Sequence, residues 1–341
     1  MATGERIKMK RIFSVLALGI FTLACVCAAS AQTNRSGTNA AARSSVFTAL
    51  PASDAVLTVD AQRLYKEALP RIYASDPAKL AEINSDIEEF KTRTGLDPRA
   101  FERVAVGVRV VETPLGMIKL QPVAIVRGTF SAGAIVAAGR IAAKGNYQEQ
   151  QYKGRTIYQF NLGPQVKFLG LRWTNLAVVV LDQNTLAFGQ PERVRAAIDA
   201  TSGGARVAAD VVALAQHDPN AIIGMGGNLP AALKQIELPS PELSKSLASI
   251  RQFYSSVGTS TSGFQMLTVL HTDAADAARN LSDTVEGLKL LAPLGIARMS
   301  GDKAKMLQQL VDNTKVTTAG NDVQISLDIA DANVATLVRV F

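Results

Sequence analysis

Between residues 104 and 110, Val104, Val106, Val108 and Val110 alternate with Ala105, Gly107 and Arg109. An alternation of period two with one apolar side is the pattern of a strand that packs one face. Thr113-Pro114-Leu115-Gly116 follows as a turn, and KLQPVAIVRGTF (119–130) reads as the return strand. The hairpin commits the folded region to an antiparallel sheet, and the periodic helices around it are the elements that can cover such a sheet.

The folded part begins near Val46. DAVLTVD (54–60) reads as a strand, followed by an amphipathic helix from Ala61 to about Leu69, with Pro70 as its stop. Asp76 and Pro77 open a second helix as cap and first residue, and Leu80, Ile83, Ile87 and Phe90 follow at helical spacing up to Gly95. Glu88 and Glu89 on this helix are neighbours that point about 100° apart, so they read as a solvated face and not as a catalytic pair. Ser131 starts an Ala-rich helix to about Ala143. Hairpins are expected around Lys153-Gly154 and Asp182-Gln183-Asn184, and Pro191 opens PERVRAAIDA.

The second half repeats the order. NAIIGMGGNLP (220–230) stands where DAVLTVDAQRL stood. A helix carrying Leu243, Leu247, Ile250 and Tyr254 follows, then the strand GFQMLTVLHTD (263–273). A helix with Ala278, Leu281, Val285, Leu288 and Ala292 on one face comes next, and a hairpin around Gly320-Asn321 closes the chain. The expected class is α+β, built from two related halves, each an antiparallel sheet covered by helices, behind an N-terminal signal peptide. The expected divisions are 1–31 (signal peptide), 32–45 (polar tether), 46–204 (first half) and 205–341 (second half, a possible duplication of the first).

The leader reading rests on three parts. Arg6, Lys8, Lys10 and Arg11 make a basic start, IFSVLALGIFTLACVCAA (12–29) an apolar run, and Ala29-Ser30-Ala31 a small-x-small end before Gln32. Together these are a secretory signal peptide, with cleavage after Ala31. The alternatives are an uncleaved anchor and a lipoprotein cut before Cys25. Cleavage after Ala31 removes both cysteines, Cys25 and Cys27, and leaves a chain without disulfide or thiolate chemistry. The remaining 310 residues (341 − 31) are enough to stand on a hydrophobic core alone.

Charge narrows the function classes. The leader contributes four positive and one negative side chain (Glu5), so its removal lowers the formal charge from +7 to +4 (7 − 3). There is no block of Lys and Arg, and aromatics are 6% of the chain, so nucleic-acid binding is not expected.

Several short patterns could carry chemistry. His271 and Asp273, two apart at a strand end, have the residue types of a general base and its orienter; the alternative places Asp273 as a helix cap and His271 on the surface. His217 sits at a helix end, and two histidines without cysteine do not make a zinc site. Ser300 and Lys303 have S-x-x-K spacing, but no S-D-N or K-T-G accompanies them, and Ser300 reads as a helix cap. Gly224-Met225-Gly226-Gly227-Asn228 lacks the third glycine of a dinucleotide loop and reads as close strand–helix contact. Ala105, Gly107 and Arg109, set against the helix 131–143, suggest either close packing or a groove for an acyl chain or peptide.

LPASDAVLTVD (50–60) and TGLDPRAFERVAVGV (94–108), behind a signal peptide, resemble a group of uncharacterised secreted bacterial proteins that share Leu50-Pro51-Ala52 and Gly95-Leu96-Asp97. The resemblance implies an extracytoplasmic location and supplies no catalytic residues. The expectation is a non-enzymatic, periplasmic or secreted binding or envelope-interaction protein. The alternatives are a carrier of a lipid or other apolar ligand, and a hydrolase using His271 and Asp273. No cofactor or metal is expected. The partner is a protein or apolar ligand of the envelope, with membrane contact through the leader or a lipid on Cys25.

Overall fold

The computed structural model describes residues 46–94, 97–114, 116–143, 145–161, 167–168, 171–172, 175–236, 240–331 and 333–334. The leader, the cleavage residues Ala29, Ala31 and Gln32, Cys25, the tether, and Gly95-Leu96 lie outside them.

The class is α+β. The strands are β1 (Ala55–Asp60), β2 (Phe101–Glu112), β3 (Ile118–Gly128), β4 (Tyr147–Tyr152), β5 (Arg155–Asn161), β6 (Lys167–Phe168), β7 (Leu171–Arg172), β8 (Asn175–Asp182), β9 (Thr185–Gly189), β10 (Ile223–Asn228), β11 (Ile250–Thr259), β12 (Gly263–Thr272), β13 (Thr314–Ala319) and β14 (Asp322–Ala330). Twelve of them form one antiparallel sheet in the order β13-β14-β12-β11-β10-β1-β2-β3-β9-β8-β5-β4; β6 and β7 pair separately.

The connectivity of the two halves matches. Outward from the middle, one half runs β1-β2-β3-β9-β8 and the other β10-β11-β12-β14-β13. Each has a lone strand, then a hairpin, then a second hairpin whose later strand pairs with the later strand of the first. The β4–β5 hairpin is an addition at one edge. The sheets of the two halves meet edge to edge, β1 against β10 with Leu57 opposite Met225, and so become one sheet.

A first helical stretch, α1, runs through Ala61–Arg63, Leu64–Ala68 and Leu69–Ile72. The helix expected to stop at Pro70 continues to Ile72. Its middle segment is wound as a π-turn, with Leu69 N–H bonding Leu64 O, and Pro70 follows that wider turn. A wider turn relieves the clash and the lost donor that proline imposes. Helix α2 is Pro77–Thr94, and Asp76 Oδ1 accepts from Lys79 N–H at 3.1 Å, the cap that the sequence indicates. The remaining helices are α3 (Ala132–Ala143), α4 (Pro191–Thr201), α5 (Ala209–Ala215), α6 (Ala231–Lys234), α7 (Pro241–Ser249), α8 (Ala275–Ile296) and α9 (Asp302–Asn313).

The helix expected to carry Leu243, Leu247, Ile250 and Tyr254 is shorter than that. α7 ends at Ser249, and Ile250 begins β11, which is paired on both sides by β10 and β12. The backbone hydrogen bonds of two neighbouring strands outweigh a 4-3-4 apolar spacing that a helix would also satisfy.

Strand alternation divides the core between the two faces of the sheet. On one face Val59, Phe264, Met266, Leu327 and Ile329 pack with Ile83 and Ile87 of α2 and with Met306 and Leu310 of α9. On the other, Val56, Ala105, Val123 and Ile125 pack beneath Val46, Phe47, Leu50 and residues of α4 and α5. Backbone bonds from Ala52 to Ala205 and from Val207 to Leu50 fix the 46–52 segment in place.

Candidate contact surface

The expected catalytic pair is not brought together. Arg251 Nη2 donates to Asp273 Oδ2 at 2.6 Å, while His271 Nδ1 lies 2.6 Å from Asp322 Oδ1. His271 and Asp322 are directly opposite in the β12–β14 register. Cross-strand neighbours sit closer than residues two apart on one strand, so the sheet register chooses the partner. Asp273 does not cap the next helix either, because Ala274 takes the cap position with no side-chain hydrogen bond. His217 stacks on Tyr254, with ring centroids 4.0 Å apart.

The remaining motifs resolve into packing. Gly224, Gly226 and Gly227 lie inside β10. A Cβ on Gly226 would fall 2.5 Å from Ala215 N and from the Leu214 carbonyl carbon, and one on Gly224 would fall 2.3 Å from Ala215 O. Helix α5 lies directly on the strand there. The cap of α9 is Gly301, at φ 76°, and not Ser300; with no Cβ, glycine takes that backbone conformation without strain. The groove suggested at Ala105 and Gly107 is filled. A Cβ on Gly107 would meet Ser53 Oγ at 2.4 Å and Leu50 Cδ1 at 3.1 Å. Helix α3 packs on the opposite face, against Val126 and Leu186, because alternate residues of a strand face opposite ways. Among the described residues no three His, Cys, Asp or Glu side chains gather as a metal site.

One surface does stand out. The apolar stripe of α8 does the work expected of it over its first turns: Ala278 and Leu281 are buried and Val285 packs against them, on Ile250 and Val323. Past Val285 the helix runs beyond the core. Leu288 is 50% exposed, Leu290 77%, Leu291 59% and Leu294 67%, and Met299 in the following turn is also exposed. At 100° per residue the four leucines span about 160° of the helix circumference, from Leu290 through Leu294 and Leu291 to Leu288. Single exposed apolar side chains are ordinary; a contiguous cluster on one projecting tip marks a contact surface.

Over residues 286–305 the charges lean positive: Lys289, Arg298, Lys303 and Lys305 against Glu286 and Asp302, a surplus of two (4 − 2). Lys289 is held 3.6 Å from Glu286. Sequence periodicity assigned Leu288 and Ala292 to the packed stripe and passed over Leu290, Leu291 and Leu294. The available signal was that these three lie off the line of Ala278, Leu281 and Val285. No helix among the described residues is long and apolar enough to cross a membrane.

No family model matches the chain, and no curated protein matches it. Among solved structures, crystal form III of TP0453 aligns over 86% of this chain and 98% of that one, with 11% identity and a TM-score of 0.44. Crystal form I of TP0453 aligns over 86% and 97%, with 9% identity and a TM-score of 0.42.

Proposed function

We propose that the chain is a non-enzymatic, extracytoplasmic protein of the cell envelope that binds a membrane surface through the α8–α9 tip. The exposed leucine cluster, Leu288, Leu290, Leu291 and Leu294, carries this reading. Its chemistry is that of an interfacial helix: an apolar arc that enters the acyl boundary, with Lys and Arg nearby to meet anionic headgroups. The leader pattern and the resemblance to secreted bacterial proteins support the location. The proposal adds a membrane contact in the folded chain to the one expected through the leader or, in the alternative, a lipid on Cys25.

Vesicle co-sedimentation tests it. The protein should pellet with vesicles containing phosphatidylglycerol and less well with pure phosphatidylcholine. The double substitution Leu290→Ser with Leu294→Ser removes two apolar side chains worth about 1.5–3 kcal/mol each when fully buried. At the lower figure the two together are worth about 3 kcal/mol, so partitioning should fall about a hundredfold, at roughly 1.4 kcal/mol per decade. Equal pelleting of the variant and the unmodified protein would rule the tip out as the contact.

A further inference from the structure

The long sheet ends in two edge strands, β13 and β4, and among the described residues no strand pairs with the outer side of either. In β13 the Gly320-Asn321 turn sets Ala319 opposite Asp322. Antiparallel pairs alternate, so Ala319, Thr317 and Lys315 turn their backbone groups toward β14, and Thr314, Val316 and Thr318 turn theirs outward. The Thr314 N–H bonds the Val311 carbonyl at the end of α9. The outward donors and acceptors of Val316 and Thr318 are a template for another strand.

The internal repeat shows what this edge accommodates. β13 is the counterpart of β8, and β8 carries a further antiparallel strand on its outer side: β5, with Ile157 opposite Val179. The corresponding side of β13 is bare.

We infer that the strand that completes this edge is β13 of a second copy of the chain, paired antiparallel about a two-fold axis at Val316. The register follows from the residues TKVTTA. Val316 of one copy lies opposite Val316 of the other, Thr314 opposite Thr318, and Lys315 opposite Thr317. The two Val316 residues exchange both backbone bonds, and each Thr318 N–H reaches the Thr314 carbonyl across the seam. Val and Thr suit such pairs, and no like charges stand directly opposite. Val316 is half-buried against the cluster of Ile250, Leu281 and Val323, and its mate covers more of it.

The other edge does not offer this. Tyr152 opposite Arg155 closes the Lys153-Gly154 turn, so Tyr147, Glu149 and Gln151 are the outward residues of β4. Pairing β4 with itself about its middle sets Glu149 against Glu149. Pairing β4 with β13 sets Glu149 against Val316 and, being head-to-tail, adds copies without closing. In the β13 seam the axis stands perpendicular to the sheet, so both copies keep α8 on the same side. Nothing in this rests on the membrane contact.

Sedimentation equilibrium of the chain from Gln32 onward tests it. A seam of one short strand is smaller than a permanent interface, so the chain should be mostly dimer at about 100 µM and mostly monomer at about 1 µM. Thr318→Pro removes an outward N–H that β14 does not use. It should weaken dimerisation about tenfold or more and leave the urea midpoint unchanged. Gln151→Pro, the matching change on β4, should leave dimerisation unchanged. If Thr318→Pro does not fold, Lys315→Cys combined with Thr317→Cys decides. These positions face each other across the seam, and oxidation with copper phenanthroline should give a disulfide-linked dimer and nothing larger. A monomer at every concentration, an unchanged dimer in Thr318→Pro, loss of association in Gln151→Pro, or cross-linked species beyond the dimer would overturn the seam.

Discussion

Gly226→Ala should destabilise the protein by about 2–3 kcal/mol, whereas Gly287→Ala should stabilise it by about 0.5–1 kcal/mol. The same added methyl group has opposite signs because the surroundings differ. At Gly226 it would lie 2.5 Å from the backbone of Leu214 and Ala215, and a helix backbone can move aside only by giving up its packing on β10. β10 is the strand that joins the halves through β1, so a shift of α5 there disturbs the middle of the sheet. At Gly287, within α8, nothing lies within 4 Å of the new methyl, and the gain is the backbone entropy that glycine loses on entering a helix. Urea unfolding of the two variants measures both. An unchanged midpoint for Gly226→Ala would mean that α5 is free to retreat.

Arg103→Met should cost about 3 kcal/mol or more. Asp60 and Arg103 are both largely buried, and Asp60 also accepts from Arg63 N–H as the cap of α1. Removing the arginine leaves a carboxylate out of water with one backbone donor, and breaking one side of such a pair costs several times what the intact pair contributes. Adding Asp60→Asn to Arg103→Met removes the stranded charge and keeps a capping oxygen, so the double variant should regain at least about 1 kcal/mol. The exposed pair Lys79–Glu82, 2.7 Å apart, is the contrast: its removal should stay within about 0.5 kcal/mol. A loss below about 1 kcal/mol for Arg103→Met would show that the pair is solvated in solution.

What the sequence made legible follows from which interactions are local. Alternation at 104–110 gives β2, a Gly-containing turn gives its hairpin, and Asp76 before Pro77 gives the start of α2, because each depends on residues a few positions apart. The boundary between α7 and β11 depends on distant strands. Leu243, Leu247, Ile250 and Tyr254 fit a helix on their own, and only pairing with residues 223–228 and 263–272 makes the second two extended. The partner of His271 is set in the same way: Asp322, 51 residues on, is found through register, while Asp273 is close in sequence and engaged elsewhere. The leucine tip was half legible. The stripe of α8 was visible, but how far the core extends beneath it is a property of the whole sheet.

The chain from Gln32 onward contains no cysteine, so a single one can be placed at will. An environment-sensitive fluorophore on Leu291→Cys reports directly on whether the tip enters a membrane, with Gln148→Cys on β4, at the far edge of the sheet, as the reference. With phosphatidylglycerol vesicles, the probe at 291 should shift to the blue and become protected from an aqueous quencher, while the probe at 148 stays unchanged. A probe at 291 that remains as accessible to quencher as the one at 148 would contradict membrane contact by this tip.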